Sequence, residues 1–398
     1  MKTDFSKTKS LFDLPDGIIY LDGNSLGPLP KSAVSNVSAM MQNEWGKMLI
    51  TGWNKAGWMH QPVSVGDRIA RLIGAELGHV VVGDTLSIKV YQALASALEM
   101  RPKRRIILSD SGNFPSDLYM AEGLIKSLNA GHELRVVKPE EVADHITDEV
   151  AVTLITEVDY RTGRKHDMRN LTARAHAVGA ISVWDLAHSA GAFEVDVSGC
   201  GADFAVGCTY KYLNGGPGSP AFIYVAPRHA DHARPALSGW LGHAAPFAFE
   251  PRYSAGAGIE RMRVGTPSVI ATASLEAALE IWDAVNLPDL RARSIELSEL
   301  FIQTVEKTCP MLKLASPRDP AARGSQVSFH FEHGYAAMQA LISQGVIGDF
   351  RAPDIMRFGF TPLYLDPDDI LAGCEILSKI MRDRLWDKEA FKVKSRVT

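Results

Sequence analysis

ISVWDLAHSAGAFEVDVSGCGADFAVGCTYKYLNGGPGSPAFIYV, residues 181–225, decides the fold. It holds three short apolar runs, ISVWDLA (181–187), FAVGC (204–208) and AFIYV (221–225), all too brief for helices and rich in β-branched and aromatic residues. Continuous apolar runs of that length, bounded by Gly and polar residues, read as strands buried on both faces. Outward from this stretch, VVVG (80–83), RRIILSD (104–110), LRVVK (134–138) and AVTLITEV (151–158) read the same way. Helical patterns separate several of them: IKVYQALASALEM, DLYMAEGLIKSL and NLTARAHAVG. Strands alternating with helices predict an α/β protein with a mostly parallel sheet, whose ligand groups gather where strands end.

A chain of 398 residues is long enough for two domains. The pattern predicts an arm over 1–46 (with YLDGNSLGPLP), packing on a smaller domain or a partner subunit. A large α/β domain follows over 47–280, then a small α+β domain over 281–398. PSVIATASLEAALEIWDAV (267–285) reads as one long helix that could bridge the two. The small domain is built from QVSFHF (326–331), YAAMQALISQG (335–345) and a helix over 366–385. A net charge of −4, spread along the chain, gives no reason to expect nucleic acid or a membrane surface as partner. The four cysteines lie far apart and form no Cys-x-x-Cys pair, which argues against a metal site or a disulfide scaffold. No apolar run is long enough to span a bilayer, and the N-terminus lacks a signal-peptide core, so a cytoplasmic setting is expected.

Asp185 closes VWD, His188 follows three residues on, and Lys211 lies 26 positions after Asp185 in a Gly-rich loop. A lysine and an acid on neighbouring strand ends can hold a pyridine aldehyde between them. The amine condenses with the aldehyde, and the carboxylate keeps the ring nitrogen protonated. Singly, each residue has a plainer reading: a helix N-cap, a solvated lysine, a structural histidine. A phosphate needs helix N-terminal N–H groups and small hydroxyls. GDTLSIKV (83–90) offers these at Leu86 and Ser87, although an ordinary helix start reads the same. NFPSD (113–117) offers a ring at Phe114 and polar groups at Ser116 and Asp117, and Tyr210 adds a phenol.

Seven segments together resemble the kynureninase family: YLDGNSLGPLP, NFPSDLY, YRTGRKHDM, VWDLAHSAGA, GCTYKYLNGGPG, LSGWLGHAAPFAFEP and GVIGDFRAPDIMRFGFTPLY, colinear from residue 20 to 364. The resemblance implies a fold-type I, aspartate-aminotransferase-like enzyme of the aminotransferase class V group, dependent on pyridoxal 5′-phosphate. It implies hydrolysis of L-kynurenine, or its 3-hydroxy form, to the anthranilate and L-alanine in tryptophan catabolism. Homodimers with shared active sites are implied too. By position, Lys211 matches the Schiff-base lysine, Asp185 the pyridine partner, His188 a cofactor contact, and Tyr210 a phosphate or ring contact, whose phenol is the candidate for shuttling protons at the substrate carbonyl and Cβ. Leu86, Ser87, Phe114, Pro115, Ser116 and Asp117 match cofactor contacts, with Thr156 in the same shell. Trp240 and Thr266 fall where the family completes the site, as expected from the other subunit. Arg357 in IMRFGF matches the arginine that grips the substrate carboxylate with its bidentate fork. Trp58, His60, Phe114 and Gly265 are expected to line the substrate ring.

Lys89 and Asp159 stand where the bacterial pattern usually has Asn. They are either a compensated pair, or two positions that do not touch the ligands, or else a source of altered substrate preference or reduced activity. The rival class V reading, a cysteine desulfurase, calls for His directly before the lysine and a mobile nucleophilic Cys. Tyr210 precedes Lys211 instead, Cys309 precedes a proline, and Cys374 lies in a helical pattern. A non-catalytic sensor of the same fold would be expected to lack the lysine or to carry a basic DNA-binding appendage.

Overall fold

A computed structural model describes residues 2–394. All seven apolar runs are strands of one sheet: β1 (Val80–Val82), β2 (Ile106–Asp110), β3 (Glu133–Val137), β4 (Val150–Thr156), β5 (Ile181–Asp185), β6 (Phe204–Gly207) and β7 (Phe222–Val225). Their order is β1-β7-β6-β5-β4-β2-β3. Every pairing is parallel except those of β7, which runs antiparallel to β6 and β1. Successive residues of a strand point to opposite faces. Val81, Ile107, Val183 and Val206 accordingly pack on one face with Val90 and Leu94. Val80, Leu108, Trp184 and Ala205 join the core on the other.

The helices that position the site are α1 (Lys31–Ala39), α2 (Gln61–Leu72), α3 (Leu86–Glu99), α4 (Pro115–Leu128) and α5 (Met168–Ala177). The expected 267–285 helix is α6 (Val269–Glu280), which tightens to a 3₁₀ turn over Ile281–Ala284. The longest helix, α7 (Leu287–Thr308), was not anticipated. Its start signal was present: the Asn286 side chain accepts from the Asp289 N–H at 3.0 Å, with Pro288 in the first turn.

Beyond it, β8 (Lys313–Leu314), β9 (Gln326–His330), β10 (Asp349–Arg351) and β11 (Ile355–Gly359) form an antiparallel sheet in the order β8-β9-β11-β10. Helices α8 (Gly334–Ile342) and α9 (Pro367–Arg382) accompany it, and α9 packs on α7. The N-terminal stretch reaches this region. Ile19–Tyr20 pairs in parallel with Val346–Ile347, and Lys9 bridges Asp366 and Asp369 at the start of α9. Among the described residues no helix is long and apolar enough to cross a membrane.

Candidate active site

The parallel strands converge on a cavity of about 200 Å³. Leu86 and Ser87 enter from the first turn of α3 after β1, and Phe114, Ser116 and Asp117 from the start of α4 after β2. Thr156 and Asp185 are the last residues of β4 and β5, and they sit directly opposite one another in register. His188, Tyr210 and Lys211 follow β5 and β6 and line the same space, as does Arg357 from β11. Pro115 lies between two lining residues as the first residue of α4.

Asp185 is buried, and its Oδ1 accepts from the Ala187 N–H at 2.8 Å. Burial pushes its carboxyl up to about 6, against the pull of the Lys211 ammonium, the Ala187 N–H and the Thr156 hydroxyl. Burial, together with Asp185, raises the Asp117 carboxyl well above the usual range, and its buried Oδ2 has no hydrogen-bond partner. The Lys211 ammonium lies 3.0 Å from His188 Nε2. Burial, then the charges of Lys211 and Arg357, hold that imidazole well below its ordinary value, so it is neutral and accepts from Nζ. Lys211 Nζ is 5.9 Å from the centroids of both the Phe114 and Tyr210 rings. Burial first, and the neighbouring Cys208, keep the Tyr210 phenol protonated. The Ser87 and Ser116 hydroxyls meet at 2.9 Å between the N-terminal turns of α3 and α4, neither of which has a side-chain cap.

Five lining residues were not assigned from sequence: Asn24, Ser25, Tyr160, Ala187 and Arg351. All lie inside or beside the segments that carry the family resemblance, yet nothing local marked them, because chain positions 24, 160 and 351 meet only through the fold. Phe114 packs edge-on against Tyr160, with centroids 5.1 Å apart.

Other expected residues lie away from this cavity within the chain. Trp58 is buried against Gly52 and Trp53 and donates from Nε1 to Glu44 at 2.7 Å. His60 is exposed just before α2. Trp240 packs on Trp53 and Phe247. Gly265 and Thr266 are exposed beside a separate cavity that also holds Lys89 and Arg263. The Arg357 fork is already engaged. Nε and Nη2 pair with the two Asp349 oxygens, Nη2 also donates to Ser25, and Nη1 donates to the Tyr160 carbonyl. While Asp349 holds that edge, four of the five Arg357 N–H groups are engaged within the chain.

The two departures also find their places. Lys89 is fully buried in α3, with its ammonium on Asp84 Oδ2 at 3.1 Å, Gln92 Oε1 at 2.9 Å and the Met262 carbonyl at 3.0 Å. Three acceptors match its three donors. Asp159 Oδ1 accepts from the Arg161 and Thr162 N–H groups at 2.7 and 3.0 Å, capping a turn. Neither residue lines the cavity.

The chain is 48% identical to kynureninase of Pseudomonas fluorescens over 394 residues, covering 97% of this chain and 95% of that one. It is 50% identical to kynureninase of Deinococcus radiodurans over 366 residues, covering 90% and 89%. The chain belongs to the kynureninase family. The family's C-terminal domain, described as "Kynureninase C-terminal domain", matches residues 290–377. Among solved structures, a cysteine desulfurase from Thermococcus onnurineus superposes with a TM-score of 0.81 at 18% identity, over 96% of this chain and 99% of that one. The cystine C-S lyase C-DES superposes with a TM-score of 0.79 at 18% identity, over 91% and 98%. At that identity the likeness establishes the fold alone, that of fold-type I, class V enzymes.

Proposed function

We propose that this chain is a pyridoxal 5′-phosphate-dependent kynureninase that hydrolyses L-kynurenine to anthranilate and L-alanine. The single observation that carries the reading is the meeting of Lys211, Asp185 and the Ser87–Ser116 hydroxyl pair in one strand-end cavity. The donor set fits that cofactor. Lys211 supplies the amine for its aldehyde, and Asp185 a carboxylate for its pyridine nitrogen. The two helix N-termini with their serines supply a phosphate seat, Phe114 an aromatic face, and Asp117 a buried oxygen still short of a partner. When bound, the group supplies an electron sink that makes bonds to the substrate Cα and Cβ labile.

The residues divide the remaining tasks. Arg357, with Asp349 behind it, makes the region around the substrate α-carboxylate positive. Lys211, freed by the incoming amine, takes the Cα proton, with neutral His188 as its hydrogen-bond neighbour. Asp185 holds the ring-nitrogen proton as a buried carboxylate. Water adds to the γ-carbonyl carbon, the Cβ–Cγ bond breaks, the hydroxyl stays with the anthranilate carboxyl, and a proton returns to Cβ. The Tyr210 phenol, kept protonated by burial, donates at the carbonyl oxygen and relays the proton to Cβ.

The desulfurase alternative lacks its nucleophile. Cys208, Cys309 and Cys374 are buried, and burial raises all four thiols, including half-buried Cys200, above their usual range.

A second copy of the chain completes the site in this reading. Trp240, Gly265 and Thr266 lie outside their own cavity, and Val34, Trp45, Leu49, Ile50, Phe247 and Phe249 are exposed. These exposed apolar side chains support an association with a second copy. The 47–280 and 281–398 units would close on substrate, since Lys211 follows a strand of the large sheet and Arg357 lies on the small one.

The test is product stoichiometry. Anthranilate and L-alanine released in equal amounts from L-kynurenine support the reading; cofactor uptake without anthranilate refutes it.

A further inference from the structure

The buried ammonium of Lys89, near the start of α3, joins parts of the chain that are far apart in sequence. Its acceptors are Asp84 Oδ2 just before the helix, Gln92 Oε1 one turn on, and the Met262 carbonyl 173 positions away. Gln92 adds its own amide to that carbonyl at 3.2 Å. Asp84 has a left-handed backbone, with φ at +55°, which a residue with a Cβ adopts at a cost. Two positions on, Leu86 and Ser87 open α3 and line the cavity. The other end of the clamp also leads to expected site residues. Met262 closes a 3₁₀ turn (Gly258–Met262), and Gly265 and Thr266 follow it. Between them, the Val264 carbonyl accepts from the Leu241 N–H at 3.2 Å, next to Trp240. A Cβ on Gly239 would stand 2.1 Å from the Val264 oxygen, so the two straps lie in backbone contact.

Stability alone does not call for a lysine here. Burial pulls its ammonium below the usual range, and Asp84 pulls it back. A buried ion pair contributes little net stability, and an apolar side chain of similar length would fill the space without the desolvation cost. What three charged hydrogen bonds do supply is a fixed relation between the Asp84 turn and the 262–266 strap.

We propose that Lys89 is a positioning residue for the phosphate end of the cofactor site. It clamps the Asp84 turn, from which Leu86 and Ser87 enter this chain's cavity, to the strap that carries Thr266 toward the cavity of the second copy. This rests on the pyridoxal-phosphate and second-copy readings given above. Lys89 does not line the cavity, so its effect falls on the preference for a phosphate and not on the chemistry of Lys211.

The experiment titrates the full-length chain, freed of cofactor, with pyridoxal phosphate and with pyridoxal, which lacks the phosphate. Each is read by the visible absorbance of its lysine-bound form. Lys89→Met, of similar length but without donors, is expected to weaken pyridoxal phosphate binding roughly 10-fold and pyridoxal binding less than about two-fold. Asp84→Asn keeps a residue that tolerates the left-handed region, at a side chain one-third exposed, and removes only the charge. It should lose about three-fold in the same sense, and it decides alone if Lys89→Met does not fold. A lysine that serves stability only would lower the urea midpoint of Lys89→Met and leave the phosphate preference unchanged. An unchanged preference in every variant that folds overturns the proposal. The binding measurement needs no carbon–carbon cleavage. A wild type with no lysine-bound absorbance from either compound breaks the functional reading and this proposal with it. Unchanged variants beside a phosphate-preferring wild type break this proposal alone.

Discussion

Two walls of the same cavity bury ionisable groups in opposite ways. On the large-sheet wall both Asp117 and Asp185 are buried and both carboxyls are pushed up, Asp117 with its Oδ2 unpartnered and Asp185 with the Ala187 N–H too weak a partner to offset its burial. On the small-sheet wall, Asp349 is just as buried but is pulled below its ordinary value by Arg357, Arg351 and Ser25, against its own desolvation. The first wall is preorganised for a ligand and is unfavourable without one. The second satisfies Asp349 and Arg357 internally, but it leaves the Arg351 Nε, one Asp22 oxygen and both polar atoms of the Asn24 side chain without partners. Burial alone therefore does not mark the chemistry; unsatisfied burial does.

The contrast breaks first at Lys211. Lys211→Ala should lower turnover by about ten-thousand-fold or more, measured as anthranilate release, and abolish the visible absorbance of the lysine-bound cofactor. Tyr210→Phe is next, at about a hundred-fold in kcat, if the phenol relays protons; full turnover would remove that role.

The next two tests separate the walls by stability. Asp349→Asn leaves Arg357 as an uncompensated buried charge and should cost about 3–5 kcal/mol in urea unfolding at pH 7. The depressed acid contributes stability above the ordinary carboxylate value of 3.8. The gap to wild type should close as pH falls below about 4. Asp185→Asn should do the reverse to the cofactor-free protein. Its carboxyl is raised to about 6, so stability is present below the ordinary 3.8 and is lost as pH rises through 6. Removing the charge should then stabilise the cofactor-free chain by about 1–3 kcal/mol at pH 7.5 while cutting activity and cofactor affinity. Destabilisation at that pH would mean the wall is not strained.

The smallest effect is expected at Asp159. Asn caps the same turn, so Asp159→Asn should shift stability by less than about 0.5 kcal/mol and leave substrate preference unchanged in a kynurenine and 3-hydroxykynurenine comparison.

These walls also differ in how far the sequence revealed them. The large-sheet wall was legible because each parallel strand announces itself as an apolar run and its site residues follow within a few positions. Asp185, His188 and Lys211 are spaced by that strand–loop logic. The small-sheet wall was read only in part. Arg357 was found by its motif. The pairing that saturates it depends on an antiparallel register between β10 and β11 and on Ser25, more than three hundred positions away. No local periodicity encodes that meeting. Helix α7 escaped for a milder reason: Ser294 and Ser298 interrupt its buried apolar stripe, although Asn286 and Pro288 marked its start.

The most direct single test pairs the wild type with Lys211→Ala, each loaded with pyridoxal phosphate and given L-kynurenine, with absorbance and both products followed together. Visible absorbance from the lysine-bound cofactor, with equimolar anthranilate and L-alanine from the wild type and neither signal from the variant, is the predicted result. Anthranilate release at the wild-type rate from Lys211→Ala would contradict the assignment of this strand-end cavity as the active site.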